Sequence, residues 1–508
     1  MVRVAIAWPP SDSMTAHPSY PTMQLPSDEG GGLIPKLIVM AGAALLAMMV
    51  SSGASPLIAT FILLLFMLPV VVLDPKTAIC ATFIFLPIMG DLRRLLIQEA
   101  VGSNDPVLLV GPLMAIALAG LAYSQGRLNR QSRLSKAVLV LMGIMVLQIF
   151  NPLQGGLAVG IGGALFYLVP VLWFWIGQSW GSAEFLQKVL LRVVVPVAIL
   201  AGLMGVRQAF IGLYPYQHEW ALRAYGPLMK MGSNTRPFSF FTSTAEYTQY
   251  LSIAIVIIIA FFFAGQLKLV LLAVPFLFFA IFVSGVRGPV VGTLGTIVVL
   301  WSMLSRNVAT RAVRLVAATA IAIAGLTWTL TQVEEMDLSS QAGVLVSHQT
   351  KGLKDPGNSE HSTAGVHGNL ITGGFSAGLA NPFGRGLGST TLAGMKFSTG
   401  GASTEIDFSD TFIALGLVGG IVYLLFIYHA IRNILRLWER NRSAASLCVA
   451  AILVVSFGRW LLGAAYAVST LAWLTLGALD RLTTTTKNAF EKPTLAGRND
   501  GVPSAGHY

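Results

Sequence analysis

Charge is scarce in this sequence. Lys, Arg, Asp and Glu together make up 11% of its 508 residues, less than half of the ~25% usual for a soluble domain. So few charges cannot coat a soluble chain of this size. Hydrophobic residues, at 55%, leave apolar surface that calls for lipid rather than water. Cysteine is nearly missing: Cys80 and Cys448 are the two, both inside apolar runs. That argues against a disulfide framework and against a thiolate metal site. Several catalytic signatures are also absent. There is no Walker A loop for a nucleoside triphosphate and no HExxH helix for zinc. Gly384-Arg385-Gly386-Leu387-Gly388 is too short, and too far from any βαβ unit, to be a dinucleotide fingerprint. No row of acids lies mid-span, which counts against a proton-coupled transporter. The arm around Arg3 lacks the apolar core of a signal peptide.

What is present is a succession of long apolar runs. A spanning helix needs roughly 20 mostly apolar residues. Runs of that kind lie near 33–51, 55–73, 77–89, 107–124, 137–154, 157–177, 189–210, 248–264, 268–283, 289–304, 315–333, 411–431, 444–458 and 462–479. The 77–89 run is short and reads as tilted or re-entrant. The last two are joined by Gly458-Arg459 and read as one broken unit or two. The expected fold is therefore an all-α polytopic membrane protein with about 12 to 14 transmembrane helices. Its parts are a disordered arm, 1–32; helices over 33–333 with an outer loop at 214–246; a large loop, 334–410, whose Gly/Phe/Leu content argues for partial packing with short helices lying on the membrane; helices over 411–480; and a tail, 481–508.

The formal charge of +11 does not point to nucleic acid, because the basic residues sit in short clusters between apolar runs. With the N-terminus in the cytoplasm and the spans alternating, the dense clusters share one side. They are Arg127, Arg130, Arg133 and Lys136; Arg306, Arg311 and Arg314; Arg432, Arg436, Arg440 and Arg442; and Arg481 with Lys487. The C-terminus then also falls inside. Three arginines break this pattern. Arg236 precedes a span, Arg287 occupies a tight turn flanked by Gly285 and Gly288, and Arg459 lies at the outer end of the last helical pair. A guanidinium at the edge of hydrocarbon needs a partner, and its planar fork suits phosphate. The bland alternative is snorkelling to phospholipid, or a bond to a helix C-terminus. His361 sits in a polar run and reads as a solvated loop residue. His367 opens a more apolar stretch and is the better candidate base. Glu405, Asp407 and Asp410 cluster before the span at 411, where Asp410 reads as a helix cap and Glu405 as a ligand for sugar hydroxyls or for a base. Glu246, at the outer end of its span, reads as a partner for Arg236 or for a sugar.

Over roughly residues 140–480 the order of short motifs resembles the O-antigen ligase and Wzy-type polysaccharide polymerase superfamily. Asn151-Pro152, then Gly162-Gly163-Ala164-Leu165-Phe166-Tyr167-Leu168-Val169-Pro170, is similar to that family's "NP … G-x-R-Y … P" helix start, without its arginine. Arg207-Gln208-Ala209-Phe210-Ile211-Gly212 resembles its Gln-containing span end, and Arg236-Pro237-Phe238-Ser239-Phe240 its entry to the next span. Ser284-Gly285-Val286-Arg287-Gly288 is similar to its "S-x-S-R-G" turn. His367 followed by Asn381-Pro382-Phe383-Gly384-Arg385-Gly386-Leu387-Gly388 resembles its loop histidine and "P-x-G-x-G-x-G". The spacing of His367 departs from the ligase's own histidine motif and favours a polymerase.

The resemblance implies a multi-span glycosyltransferase of the C-type fold with a large periplasmic loop, in the bacterial inner membrane. It implies a metal-independent, inverting reaction that needs no cofactor and joins undecaprenyl-pyrophosphate-linked repeat units. The bilayer is its setting, and a flippase and a chain-length regulator are the usual companions of such polymerases. In those terms Arg287 and Arg236 stabilise the departing diphosphate, with Arg459 as a third, and His367 is the general base with Glu405 competing. Glu246 and Asp410 line the substrate. An O-antigen ligase, transferring glycan to lipid A core, and a lipid-linked oligosaccharide transporter are the alternatives.

Overall fold

The computed structural model describes residues 32–96, 105–223, 230–231, 234–266, 269–334, 341–358, 364–391, 393–394, 406–461 and 465–491. Among them the chain is helical apart from a minimal ribbon, in which Lys230–Met231 (β1) pairs antiparallel with Asn234–Thr235 (β2). Eight helices among the described residues are long and apolar enough to cross a membrane. This is the build of a multi-pass membrane protein.

The first two helices, α1 (Leu33–Ser51) and α2 (Pro56–Leu73), form a peripheral hairpin. Helix α1 buries only Pro35 and Gly42, and a methyl group at Gly42 would press into Phe66. Small residues let helices approach where no hydrophobic effect drives them together. The rest of α1 faces outward; Leu33, Met40 and Met48 are each about two-thirds exposed, as lipid-facing side chains are and as a water-soluble surface would not tolerate. The next helix, α3 (Pro75–Leu96), buries most of its length. The run expected to be short and re-entrant at 77–89 is thus a full 22-residue helix. Its second half carries Asp91, Arg93 and Arg94, which ended the apolar run prematurely.

Helices α4 (Val110–Ser124) and α5 (Arg133–Gln148) follow. The apolar run at 157–177 is two helices, α6 (Leu157–Phe166) and α7 (Leu168–Trp180), broken at Tyr167. Pro170 falls in the first turn of α7, where its missing N–H is not needed. Helix α8 (Ala183–Val189) passes through a π-helical turn, Leu190–Val194, into α9 (Val195–Phe210). Pro196 in the first turn of α9 accounts for that irregularity, since it lacks the N–H an α-helical bond requires. After the short α10 (Pro215–Arg223) comes α11 (Thr244–Phe263), the central helix, with 83% of its span buried. Helices α12 (Ala273–Phe282) and α13 (Arg287–Met303) lead to α14 (Val308–Glu334), with 11% of its span buried and so at the periphery.

The region expected to be a loop, 334–410, contains two helices, α15 (Gln341–Lys354) and α16 (Ala364–Ala380). The C-terminal part is α17 (Asp407–Arg440), α18 (Ala444–Val455) and α19 (Tyr466–Glu491). Here the structure decides between two readings and corrects one boundary. Of one broken unit or two, it gives two: α18 and α19 are separate and run in opposite directions on either side of the turn at Ser456–Arg459. The tail after Arg481 continues α19 to Glu491. Helices α7 and α19 pack closest, through glycines: a methyl group at Gly177 would collide with the Leu474 carbonyl, and one at Gly477 with that of Phe174.

Helix α17 defines the two ends of the bundle. It begins where Asp407 accepts from the Leu461 amide (2.8 Å) and ends where Arg442 donates to the Leu304 carbonyl (3.1 Å). The second end also holds Ser132, bonded to Asp480 at 2.6 Å, and Arg481 against the Gln178 carbonyl. The arginine clusters at 127–136, 306–314, 432–442 and 481 therefore gather at one end, called here the basic end.

Helix α17 is broken at Gly416, whose φ of 71° and ψ of −169° are open to glycine and not to other residues. Its usual bond between Leu417 N and Ile413 O is replaced by two bonds to a preceding segment. Leu417 N donates to Pro382 O (3.0 Å), and Arg385 N to Ile413 O (2.9 Å). Gly386 N adds a bond to Ala414 O (3.1 Å). The glycine-rich 381–388 segment is thus a plug set into a gap in a helix.

Candidate functional site

The end opposite the basic end gathers Arg236, Arg287 and Arg459. Arg287 opens α13 after a reversal at Gly285 (φ 71°). Ser284 closes that turn by donating to Ile281 O (2.6 Å), and Gln349 of α15 donates to Val286 O (3.2 Å). The arginine side chain then lies across α15. Its Nη2 donates to His348 O (3.0 Å) and meets His348 Nε2 at 2.9 Å. Arginine has only donors, so the imidazole Nε2 is the acceptor in that contact. The guanidinium occupies the space that a side chain at Gly352 would fill. Its Nε is buried without a hydrogen-bond partner.

Arg236 comes from a different element, the segment between β2 and α11. That segment is fixed by Gln208 at the end of α9. The Gln208 Oε1 accepts from Phe238 N (3.0 Å) and Ser239 N (2.7 Å), while its Nε2 donates to Ser239 O (2.8 Å) and to Gln217 Oε1 (3.1 Å). These bonds hold Ser239 at a φ of 56°, a left-handed conformation uncommon for a residue with a side chain. Beneath lies a second buried group. Asp91 accepts from Gln217 (3.0 Å), Tyr216 (3.1 Å) and Arg94 (2.9 Å), and Arg94 donates to Phe241 O (2.6 Å).

Arg236 and Arg287 are close enough for the charge of one to act on the other. Burial pulls the Arg236 guanidinium below the usual arginine range, yet arginine stays protonated at any physiological pH. Arg459 joins them: its Nη2 lies 3.9 Å from where a Gly288 side chain would start, on the first turn of α13. All three arginines and His348 are partly exposed, so an incoming group can reach them. Among the described residues no carboxylate forms an ion pair with Arg236 or Arg287. Two like charges near one another, with no counterion among the described residues, suit a polyanion.

The other expected site residues fare differently. Glu246 does not pair with Arg236. It is fully buried, its Oε1 accepts from the Ala467 amide (2.7 Å) and its Oε2 from the Thr242 hydroxyl, so it ties α11 to the start of α19. Asp410 lies in the first turn of α17, buried, beside a small cavity it shares with Tyr167 and Leu461. Asp407 accepts from Leu461 N and, at 3.3 Å, from Tyr423. Glu405 and His361 lie outside the described residues. His367 falls in the first turn of α16, with its side chain outside the described set. Helix α16 packs in parallel on α17, with Gly374 against Ser409, Gly378 against Phe412, and the Phe375 and Phe412 rings 4.5 Å apart.

His348 is the residue that sequence reasoning missed. The signal for it was the apolar spacing of Ala342, Leu345 and Val346, which marks a helix and puts His348 near its packed face. A scan against family models and a search of curated proteins found no match for this chain.

Proposed function

We propose that this protein is a membrane glycosyltransferase that takes a glycan from a polyprenyl pyrophosphate and joins it to the hydroxyl of another lipid-linked repeat unit. The observation carrying the proposal is the proximity of Arg236 and Arg287 at the end opposite the basic end, with no carboxylate among the described residues paired to either. The leaving group of such a reaction is a diphosphate that gains negative charge as the glycosidic bond breaks. Fixed guanidinium groups stabilise that charge without reorganising. By the positive-inside rule the basic end faces the cytoplasm and the arginine site faces the opposite side. In a bacterial inner membrane that side is the periplasm, where lipid-linked units are joined.

The acceptor hydroxyl loses its proton as it attacks. His348 suits this role in a donor-dependent way. Its Nε2 accepts from Arg287; a diphosphate oxygen that draws the guanidinium away lets that nitrogen take the proton instead. His367 and Glu405 remain the competing proton acceptors.

The test is chain extension by the purified full-length protein on undecaprenyl-pyrophosphate-linked repeat units. Arg287→Ala removes extension while the protein folds and inserts. His348→Ala gives a loss greater than His367→Ala if His348 is the base, and the reverse ranking moves that role to His367. Normal polymer from Arg287→Ala sinks the proposal. Transfer to lipid A core in place of a longer lipid-linked chain makes the protein a ligase using the same donor.

A further inference from the structure

At the basic end, remote from the arginine site, α4, α5 and α7 enclose a groove of about 330 Å³. Pockets that hold small molecules run from ~300 Å³ upward. Leu139, Leu172 and Trp175 form its walls, and Gly120 leaves open space on one side. Tyr123 and Arg130 stand at its mouth. The Trp175 N–H is engaged with the Met142 sulfur (3.3 Å), so it is not available to hold water there.

The one cation lining the groove among the described residues, Arg130, is held in place, with Arg127 three residues before it. The Arg130 guanidinium lies 5.2 Å from the Tyr123 ring, and that of Arg127 lies 5.6 Å from the Trp180 ring. Arg133 and Lys136 follow on the first turn of α5. Among the described residues none of these four forms an ion pair. Asp480 reaches this segment, but its carboxylate already accepts from Ser132 (2.6 Å), Ser135 (3.1 Å) and Gln178 (2.7 Å). Gln178 also grips the backbone of Asn129 on both sides, accepting from its N–H (2.8 Å) and donating to its carbonyl (2.9 Å). Asn129 in turn accepts from Gln131 N (3.0 Å), so Arg130 is anchored through both neighbours.

An apolar slot under a fixed cationic rim matches an amphiphile with a negative head. We infer that this groove is a binding site for an anionic phospholipid, with an acyl chain between α4, α5 and α7 and the headgroup phosphate held by Arg130 and Arg127. Basic pockets between membrane helices recognise anionic headgroups in this manner. A zwitterionic lipid fits the slot equally but brings an ammonium group against the arginines.

The experiment incubates the purified full-length protein in detergent with phosphatidylglycerol or phosphatidylcholine of equal chain length and counts bound lipid by native mass spectrometry. Phosphatidylglycerol is expected to bind more tightly, and Arg130→Ala to weaken it about fivefold. Gly120→Leu sends a side chain into open space, where its first carbon would meet nothing, and is expected to weaken both lipids. Arg314→Ala removes a cation at the same end, one stacked on Trp301 instead, and is expected to change nothing. Equal binding of the two lipids overturns the inference. So does full binding by Gly120→Leu, or a loss in Arg314→Ala as large as in Arg130→Ala, because either shows diffuse surface attraction.

Discussion

Arg94 and Arg287 lie at the same end of the bundle and are treated in opposite ways. Arg94 is 2% exposed, bonded to Asp91 and Phe241 O, and sandwiched between the Trp220 and Phe238 rings at 4.8 and 4.2 Å. Among the described residues Arg287 has an imidazole and a carbonyl for partners and no carboxylate, with the positive charge of Arg236 near it. The first arrangement neutralises a cation so that it can fasten a loop. The second leaves a cation uncompensated at an accessible place, which is costly unless a ligand supplies the counter-charge. An arginine's counterion, more than its burial, separates a structural role from a reserved one.

The comparison can be broken at several points. The largest effect is expected from Asp91→Ala, which leaves Arg94 buried without its anion and should cost about 3–5 kcal/mol of stability, read as a lower unfolding midpoint in detergent. If Arg94 tolerates that loss, the contrast with Arg287 is empty. Next comes Arg287→Ala, expected to lower chain extension by about 10²–10³-fold, as loss of one transition-state donor does elsewhere, with the unfolding midpoint unchanged. Gly352→Ala is sharper. Its methyl group would displace the Arg287 guanidinium, the movable end of a side chain, while alanine suits a helix better than glycine. Activity should fall by about tenfold, roughly the effect of a 1 Å misplacement or somewhat less, with stability equal or higher. The smallest effect belongs to Glu246→Gln. The amide oxygen still accepts from Ala467 N, so both activity and stability should shift by less than about 1 kcal/mol; a large loss of activity alone would return Glu246 to the substrate site.

Much of the architecture was legible in the sequence, because lipid demands uninterrupted apolar helices. The peripheral helices α1, α2 and α14 follow the apolar runs closely. Legibility failed where a helix is buried in protein and can carry charge. Asp91 and Arg94 satisfy one another and Gln217, 126 residues from Asp91 along the chain, and no local pattern announces such a partner. Glu246 was misjudged for the same reason, since its partner Ala467 lies 221 residues away. The grouping of Arg236, Arg287 and Arg459 was foreseeable, because each departs from the charge bias of its side. His348 was hidden in a stretch read as loop, though Ala342, Leu345 and Val346 there repeat at helical spacing.

The plug at Gly416 bears on how the chain is made. Residues 382–386 are synthesised before the helix they interrupt, so the N–H groups that Ile413 and Ala414 require are in place when α17 emerges. Were the order reversed, the helix would close straight across the gap, satisfying those carbonyls from its own N–H groups. Biogenesis therefore runs in one direction only, and a circular permutation that moved the 381–388 segment downstream of α17 should insert as an unbroken rod.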